Sequence, residues 1–142
     1  MAGVAARMAG IAMNTKFDAL YKYALAADWQ WAKAIAIVES SENEYETSDD
    51  GLAVGLFQQH PDFMTEWLCW TADDMTPGEH GSPWTQAIAL RAFWQHDAGM
   101  AKLDRCLAYH YGMAGFEGLK GADPDGYGDR IKAAFKTLGV TI

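Results

Sequence analysis

The sequence predicts one mainly helical α+β domain with a single small β-hairpin. Its 142 residues are half apolar, which is enough for one buried core and too apolar for a disordered chain. Apolar side chains recur at the spacing of amphipathic helices along most of the chain, and an Asp-Gly pair marks a tight turn between them. We place the domain at residues 14–142. We expect residues 1–13, which are rich in Ala, Gly and Met, to form a flexible or short helical arm.

Helices are predicted wherever apolar spacing and capping residues coincide. Apolar residues from Phe17 to Ala24 define the first helix, and the second is expected to start after an Asp28 N-cap and to end near Glu39. Later helices are predicted around residues 63–68, from Ser82-Pro83 through Ala92, after an Asp97 cap, and after an Asp129 cap. The polar segment 71–81 and the Gly-rich segment 112–127 are predicted loops.

The hairpin is predicted in segment 45–54, after the second helix. Its centre, Thr47-Ser48-Asp49-Asp50-Gly51, holds the Asp-Gly pair that favours a tight reversal between short strands. The apolar path resumes in Gly55-Leu56-Phe57-Gln58 and leads into His60-Pro61.

The composition excludes several classes of partner. A net charge of −8 argues against nucleic acid, which requires a face rich in Lys and Arg, and against docking on anionic membranes. The same charge gives no steering toward an anionic wall polymer, so catalysis there would depend on the local groove. No segment reaches transmembrane length, so membrane insertion is not expected. The His and Cys residues show no metal-ligand spacing, so we expect no metal and no cofactor.

The two cysteines, Cys69 and Cys106, are too few for a disulfide framework and too far apart for a CxxC site. We expect two buried thiols, and a single disulfide stays open for a protein that works outside the cytoplasm. Residues 1–13 lack the basic start and apolar centre of a secretory signal. We therefore expect synthesis in the cytoplasm without a signal peptide.

Glu39 follows the apolar run Ala34-Ile35-Ala36-Ile37-Val38 at the predicted end of the second helix. Apolar surroundings penalise a charged carboxylate, and the negative end of the helix dipole disfavours it further. Both effects favour the neutral acid, which is the form that donates a proton to the leaving oxygen in glycosidic cleavage. Because a glutamate at a helix end is more often a solvated charge, its assignment as a catalytic acid depends on the residues that follow.

Four groups of residues around and after Glu39 form a pattern. They are Val38-Glu39-Ser40, then Ser48 and Gly51 with Gly55-Leu56-Phe57-Gln58, then Ala108-Tyr109-His110 with Gly112 and Gly115, and finally Tyr127 with Ile131. In this order, across about residues 34–135, they resemble the soluble lytic transglycosylase pattern, which is similar to that of goose-type lysozyme. The resemblance implies a lysozyme-like fold with a glycan cleft between the hairpin and the C-terminal helices.

The resemblance also implies a role for each matched side chain. Glu39 would protonate the glycosidic oxygen and then take the proton of the sugar 6-hydroxyl, whose attack closes a 1,6-anhydro ring without water or a second carboxylate. Ser40 would orient the glycan or Glu39, Gln58 would contact the saccharide, and Tyr109 would hydrogen-bond near Glu39 and the reacting sugar. The substrate-binding set implied in this way is Ser40, Gln58, Tyr109, His110 and Tyr127.

The sequence departs from the family pattern at three points. His110 stands where the family has Asn, which keeps hydrogen-bonding capacity but adds a titratable group. Leu52 lengthens the hairpin by one residue, and the turn carries Asp49 and Asp50. Consecutive acids in a turn are commonly solvent-exposed, but a hairpin carboxylate can also stabilise a cationic transition state or activate water. Asp49 and Asp50 are therefore both candidates for a second carboxylate, and hydrolysis and anhydro-ring formation both stay open.

The resemblance extends to a biological setting, that of a bacteriophage endolysin or virion-associated lysin. We expect a monomer that cleaves the MurNAc–GlcNAc β-1,4 bond of peptidoglycan glycan strands after release or virion delivery to the cell wall. One or two of four tryptophans are expected to line the cleft as stacking surfaces, namely Trp67, Trp70, Trp84 and Trp94. Two alternatives stay open: a non-catalytic glycan-binding or phage structural protein on the same fold, and a chitin-directed glycosidase.

Overall fold

Helices dominate the chain, and one two-stranded sheet interrupts them. The computed structural model describes residues 14–74 and 76–142, so the predicted arm at residues 1–13 lies outside the described residues. The helices are α1 (Asp18–Leu25), α2 (Trp29–Ser40), α3 (Pro61–Leu68), α4 (Pro77–His80), α5 (Pro83–His96), α6 (Lys102–Tyr111), α7 (Met113–Leu119) and α8 (Tyr127–Leu138). The strands are β1 (Thr47–Ser48) and β2 (Ala53–Val54), and 3₁₀ turns cover Ala26–Asp28, Asp49–Gly51 and Ala72–Asp74. The predicted mainly helical α+β class is confirmed.

Helix α2 runs through the core because its middle consists of small and aliphatic residues. Residues 32–37 are all buried, and the one charged member, Lys33, donates a 2.9 Å hydrogen bond to Asp18 Oδ1 at the start of α1. Helix α1 packs against α2 and α5, while α8 packs against α2 and α6. Burial of such apolar side chains contributes about 1.5–3 kcal/mol each for the larger ones. The packing fixes the end of α2, where Glu39 lies, at the edge of the core.

The hairpin follows α2, as predicted, and its register pairs Thr47 with Val54 and Ser48 with Ala53. The connecting turn contains three consecutive residues with a left-handed backbone, Asp49 (φ 53°), Asp50 (φ 57°) and Gly51 (φ 86°). Such conformations are rare outside Gly, and Asp is among the residues that tolerate them best. The sequence Asp-Asp-Gly thus suits a turn that reverses the chain within a few residues.

Two segments predicted as loops contain helices. Segment 112–127 contains α7, where Met113 and Phe116 share one helical face and pack against the core, which offsets the low helix propensity of its glycines. Segment 71–81 contains a 3₁₀ turn and the single-turn helix α4. Both predictions were wrong, and for α7 the reason is that its two apolar anchors outweighed the local composition.

Three predicted caps also differ from the structure. Asp28 precedes α2 but does not cap it, because its carboxylate accepts a hydrogen bond from Trp94 Nε1 (3.1 Å) and pairs with Lys102 Nζ (2.7 Å). Asp97 follows the end of α5 instead of starting α6, which begins at Lys102. Asp129 lies in the first turn of α8, which begins at Tyr127.

The cysteines are both free, one buried and one exposed. Cys106 is buried in the core, as predicted, whereas Cys69 is exposed just after α3, so its predicted burial was wrong. Within residues 14–74 and 76–142, no helix combines the length and the apolar character needed to cross a bilayer.

Candidate active site

A cleft of about 330 Å³ lies between the hairpin and helix α6. The end of α2 contributes Glu39, the hairpin contributes Ser48 and Asp49, the segment leading into α3 contributes Gln58, Gln59 and His60, and α6 contributes Tyr109 and His110. The family resemblance implied a cleft between the hairpin and the C-terminal helices, and this cleft lies between the hairpin and one of those helices. Residues far apart in the chain therefore meet around one concave surface.

Glu39 is the penultimate residue of α2, and its side chain is partly buried on the cleft wall. Burial raises its pKa from 4.5 to about 7, while a hydrogen bond from Tyr127 and the charge of Arg130 act in the opposite direction. The charge of Asp49 adds a smaller upward effect on the same pKa. The direction agrees with the expectation from the apolar run before Glu39. A carboxyl group in this state donates and recovers a proton near neutral pH.

Tyr127 binds this carboxyl group from the protein interior. It is 1% exposed, and its hydroxyl donates a 2.8 Å hydrogen bond to Glu39 Oε2. Burial and the nearby Glu39 charge raise the pKa of Tyr127 well above its ordinary value, so the hydroxyl stays protonated and acts as a donor. Tyr127 therefore contacts the acid and not the cleft, which corrects its predicted place in the substrate-binding set.

Asp123 sets the position of Tyr127 at the start of α8. Its Oδ1 accepts hydrogen bonds from the Tyr111 hydroxyl (2.5 Å) and the Tyr127 backbone N–H (3.0 Å), and its Oδ2 accepts one from the Gly128 N–H (2.9 Å). The bond from Tyr111, followed by those from the two backbone amides, lowers the pKa of Asp123. The carboxylate thus satisfies free N–H groups at the helix start, which is the work of a cap.

Tyr109 and His110 of α6 form the opposite part of the cleft wall. The Tyr109 hydroxyl donates a 2.5 Å hydrogen bond to the Phe57 carbonyl. Burial and the charge of Glu39 raise the pKa of Tyr109 well above its usual value, which agrees with its predicted location near the acid. The His110 ring stacks in parallel on Tyr127, with centroids 4.1 Å apart, and its Nε2 lies 2.9 Å from Asp125 Oδ2.

Gln58 lines the cleft, but its amide group is occupied by the hairpin. Ser48 Oγ donates a hydrogen bond to its Oε1, and its Nε2 donates to the carbonyls of Glu46 and Gly55, both at 2.9 Å. Both amide protons are therefore used inside the protein. Gln58 was predicted to contact the saccharide. Its amide group instead links the hairpin to the segment that follows it at Gly55.

Ser40 does not reach the cleft. Its side chain is buried, and its hydroxyl donates a 2.7 Å hydrogen bond to the Leu56 carbonyl. The same oxygen accepts a hydrogen bond from the Asn43 backbone N–H at 3.2 Å. Ser40 therefore joins the end of α2 to the segment at Leu56, which positions its neighbour Glu39 and leaves no contact with a glycan.

The structure separates the two turn aspartates that the sequence left as equal candidates. Asp49 lines the cleft, and its Oδ2 lies 2.9 Å from His60 Nε2. Asp50 is exposed in the turn and is absent from the cleft wall. Asp49 is therefore the carboxylate that shares the cleft with Glu39.

Gln86 of α5 is a positioning residue that sequence reasoning missed. It is fully buried, its Oε1 accepts a 3.0 Å hydrogen bond from the Phe57 N–H, and its Nε2 donates to the carbonyls of Val54 (2.7 Å) and His80 (3.0 Å). An ideal Cβ at Gly55 would lie 2.5 Å from Gln86 Nε2, so a larger residue there would displace the Gln86 amide, and the left-handed backbone at Gly55 (φ 84°) also favours glycine. The available signal in the sequence was a glutamine within the apolar stretch of a predicted helix, next to Ala87 and near Leu90.

The tryptophans do not line this cleft, which corrects their predicted role as stacking surfaces there; its wall includes the aromatic rings of Phe63 and Tyr109 instead. Trp67 packs on Phe93, and Trp94 is buried. Among residues 14–74 and 76–142, no group of three or more His, Cys, Asp or Glu side chains is arranged to hold a metal ion.

Comparison of the chain with protein-family models, with curated proteins and with solved structures gave no match.

Proposed function

We propose that the protein cleaves the β-1,4 bond between MurNAc and GlcNAc in peptidoglycan glycan strands, with Glu39 as the general acid. The observation that carries the proposal is a carboxyl group on a cleft wall whose pKa is raised to about 7 and whose Oε2 is held 2.8 Å from the Tyr127 hydroxyl. Glycosidic cleavage requires such a group because the leaving oxygen must receive a proton as the C–O bond breaks.

The surroundings of Glu39 suit a group that gives up and regains a proton in each catalytic cycle. Burial favours its neutral form before the reaction, and the Tyr127 hydroxyl stabilises the carboxylate that remains after proton transfer. Asp49 lines the same cleft as Glu39, so its negative charge would lie near the positive charge that develops on the sugar ring. Negative groups near a cationic transition state lower its energy, so the cleft suits an oxocarbenium-like species.

The choice of substrate rests on the motifs that resemble soluble lytic transglycosylases. Of the matched residues, Glu39, Ser48, Gln58, Tyr109 and His110 line one cleft, and Tyr127 touches the acid. A protein that only bound glycan would gain nothing from a neutral, partly buried acid at this point. The setting we propose is that of a phage endolysin or virion-associated lysin that acts on the cell wall.

Purified sacculi provide the test. Wild-type protein should lower their turbidity, and Glu39→Gln should lower the rate at least about 100-fold, because removing a general acid typically costs two to four orders of magnitude. Gln keeps the acceptor for Tyr127, so the fold should persist. Glu117→Gln, an exposed glutamate on α7, is the matched control and should behave as wild type. Equal rates for wild type and Glu39→Gln would overturn the proposal, and cleavage of chitin oligomers in preference to sacculi would change its substrate.

A further inference from the structure

The ring of His110 has three directional contacts at the cleft wall. Its face stacks on the ring of Tyr127, with centroids 4.1 Å apart and planes 4° from parallel. Its Nε2 lies 2.9 Å from Asp125 Oδ2, and because a carboxylate only accepts hydrogen bonds, this nitrogen is the donor. Its ring also meets that of Tyr111 at a centroid distance of 4.6 Å, with the planes at 72°. Together these contacts fix the orientation of the imidazole.

Both partners of His110 come from the short segment that leads into α8, and that segment is itself fixed. The backbone N–H of Asp125 donates a 3.0 Å hydrogen bond to the Tyr111 hydroxyl, which in turn donates to Asp123 Oδ1. The same Oδ1 accepts the backbone N–H of Tyr127. Helix α6 therefore supplies both His110 and the tyrosine that holds Asp125 and Tyr127 in place beside it.

His110 covers a buried ring. The side chain of His110 is 24% exposed and lines the cleft, whereas Tyr127 is 1% exposed. The parallel stack thus places a partly exposed ring on one face of a buried one. Removing the imidazole would open that face of Tyr127 to the cleft.

The position of the Tyr127 ring determines whether its hydroxyl reaches Glu39. The hydroxyl lies at the far end of the ring, so a small rotation about the side-chain torsions moves it by more than it moves any other atom of the ring. Its hydrogen bond to Glu39 Oε2 is 2.8 Å long, and O–H···O bonds are confined to about 2.5–3.0 Å. A contact that stops the ring from rotating therefore preserves this bond.

We infer that His110 is a positioning residue for Glu39: fixed by Asp125, it holds the Tyr127 ring where the hydroxyl reaches the acid. His110 thus acts on the acid through Tyr127, and not through the direct saccharide contact that the resemblance implied. Asn, which the family has at this position, has no aromatic ring to stack, so the histidine supplies a contact that the family residue could not. The effect on catalysis rests on the proposed function, whereas the effect on Glu39 is a property of the free protein.

The pKa of Glu39 reports on the Tyr127 hydrogen bond, because that bond lowers it. Other groups act on the same carboxyl group, and they come from α8, the hairpin turn and α6: Arg130, Asp49, Cys106 and Tyr109. A substitution at His110 also changes the solvation of the cleft. The effect transmitted through Tyr127 is isolated by making the same substitution with and without the Tyr127 hydroxyl.

The direct test is a ¹³C NMR titration of the Glu39 carboxyl group in the free protein, with the signal assigned from Glu39→Gln. His110→Leu keeps an apolar side chain over Tyr127 but removes the stacking ring and the bond to Asp125. The substitution should move the pKa of Glu39 further upward in the wild-type background than in a Tyr127→Phe background. Equal changes in the two backgrounds would overturn the inference.

Three more variants separate the stack from the bond to Asp125. His110→Phe keeps a ring that can stack and should recover most of the upward change, and a result equal to that of His110→Leu would contradict the stacking role. Asp125→Ala, at an exposed side chain, leaves the core intact and should give a smaller upward change, and no change would remove Asp125 from the scheme. His96→Leu is the matched control and should leave the Glu39 pKa as in wild type, because His96 also lies beside an aspartate, with its Nδ1 3.1 Å from Asp97 Oδ1, but off the cleft wall.

Turnover of sacculi distinguishes positioning from substrate contact. His110→Leu should lower kcat about fivefold with little change in KM, and His110→Phe should recover more than half of that loss. A raised KM at unchanged kcat would overturn the inference and make His110 a saccharide contact. If folded wild-type protein released nothing from sacculi, the proposed function would fail, and the NMR titration would still decide whether His110 positions Glu39.

Discussion

The hydroxyl of Tyr127 donates a 2.8 Å hydrogen bond to the carboxyl group of Glu39, which is 88 residues away in the sequence. The bond joins the end of α2 to the start of α8, so the packing of these two helices determines where the acid lies. It stabilises the ionised carboxylate while burial favours the neutral form, and the balance gives Glu39 a pKa of about 7. A change at Tyr127 should therefore alter both the pKa of Glu39 and the position of its carboxyl group.

Replacing Tyr127 with Phe should raise the pKa of Glu39 further, because the lost hydrogen bond favours the ionised form. The alkaline limb of the pH–rate profile on sacculi should move to higher pH, and the maximum rate should fall about tenfold as the acid loses its orientation. The aromatic ring stays in the core, so the free energy of unfolding should fall by only about 1 kcal/mol from the lost hydrogen bond. An alkaline limb that moves to lower pH would contradict the role given to this hydroxyl.

Glu39 should also make the stability of the protein depend on pH. Its pKa is about 7 in the folded protein and about 4.3 in an unfolded chain, so the folded state binds more protons between these values. The stability associated with the neutral acid is complete below about pH 4.3 and is lost as pH rises through about 7. Glu39→Gln should thus be more stable than wild type at pH 8 by about 3–4 kcal/mol, with a much smaller difference at pH 4.

Denaturant unfolding at both pH values measures this difference. Glu117→Gln removes an exposed carboxylate and should show no such pH-dependent gain. A stability difference between Glu39→Gln and wild type that is the same at pH 4 and pH 8 would show that Glu39 titrates like a solvated glutamate.

Asp123→Ala should destabilise the protein by about 1–2 kcal/mol at pH 7, because the start of α8 loses the acceptor of two backbone N–H groups and of the Tyr111 hydroxyl. The pKa of Asp123 is lowered in the folded state, so its contribution is present above the unfolded value of about 3.9 and is lost as pH falls below it. Thermal melts at pH 7 and pH 3 follow the change. Asp129→Ala, in the first turn of the same helix, should cost less, and an equal cost would contradict the capping role.

Gly55 and Gly51 form a matched pair for testing the support of the cleft. Both have a positive φ, 84° and 86°, but an ideal Cβ meets Gln86 at Gly55 and meets nothing within 4 Å at Gly51. Gly51→Ala should cost about 1–2 kcal/mol from backbone strain alone, and Gly55→Ala should cost about 1–3 kcal/mol more from the clash. Equal destabilisation of the two variants would show that Gln86 moves aside freely.

The elements that sequence reasoning placed correctly are those with strong local signals. The first two helices follow from apolar spacing, and the hairpin follows from its Asp-Gly turn. Helix α7 was missed because its stability depends on two anchors, Met113 and Phe116, that reach the core from a Gly-rich segment. Asp97 and Asp129 were wrongly predicted as N-caps, because acidic residues also occur just after the end of a helix and within its first turn.

In the candidate site, too, local patterns did not predict the contacts that depend on tertiary packing. The apolar run before Glu39 was sufficient to predict the direction of its pKa shift. No local pattern could show that Tyr127 reaches this acid, or that His60 and not Asp50 is the neighbour of Asp49. Gln58 and Ser40 were expected to contact substrate, but their hydrogen bonds are satisfied inside the protein, which depends entirely on tertiary packing.

The most direct test of Glu39 as a glycan-cleaving acid is the amount of soluble muropeptide that wild type and Glu39→Gln release from purified sacculi at pH 6, below the pKa of about 7. Wild type is expected to release disaccharide peptides steadily, and the variant is expected to release at least about 100-fold less while melting at an equal or higher temperature. Equal release by the two proteins, or no release by a folded wild-type protein, would contradict the assignment of Glu39 as the catalytic acid of a peptidoglycan-cleaving enzyme.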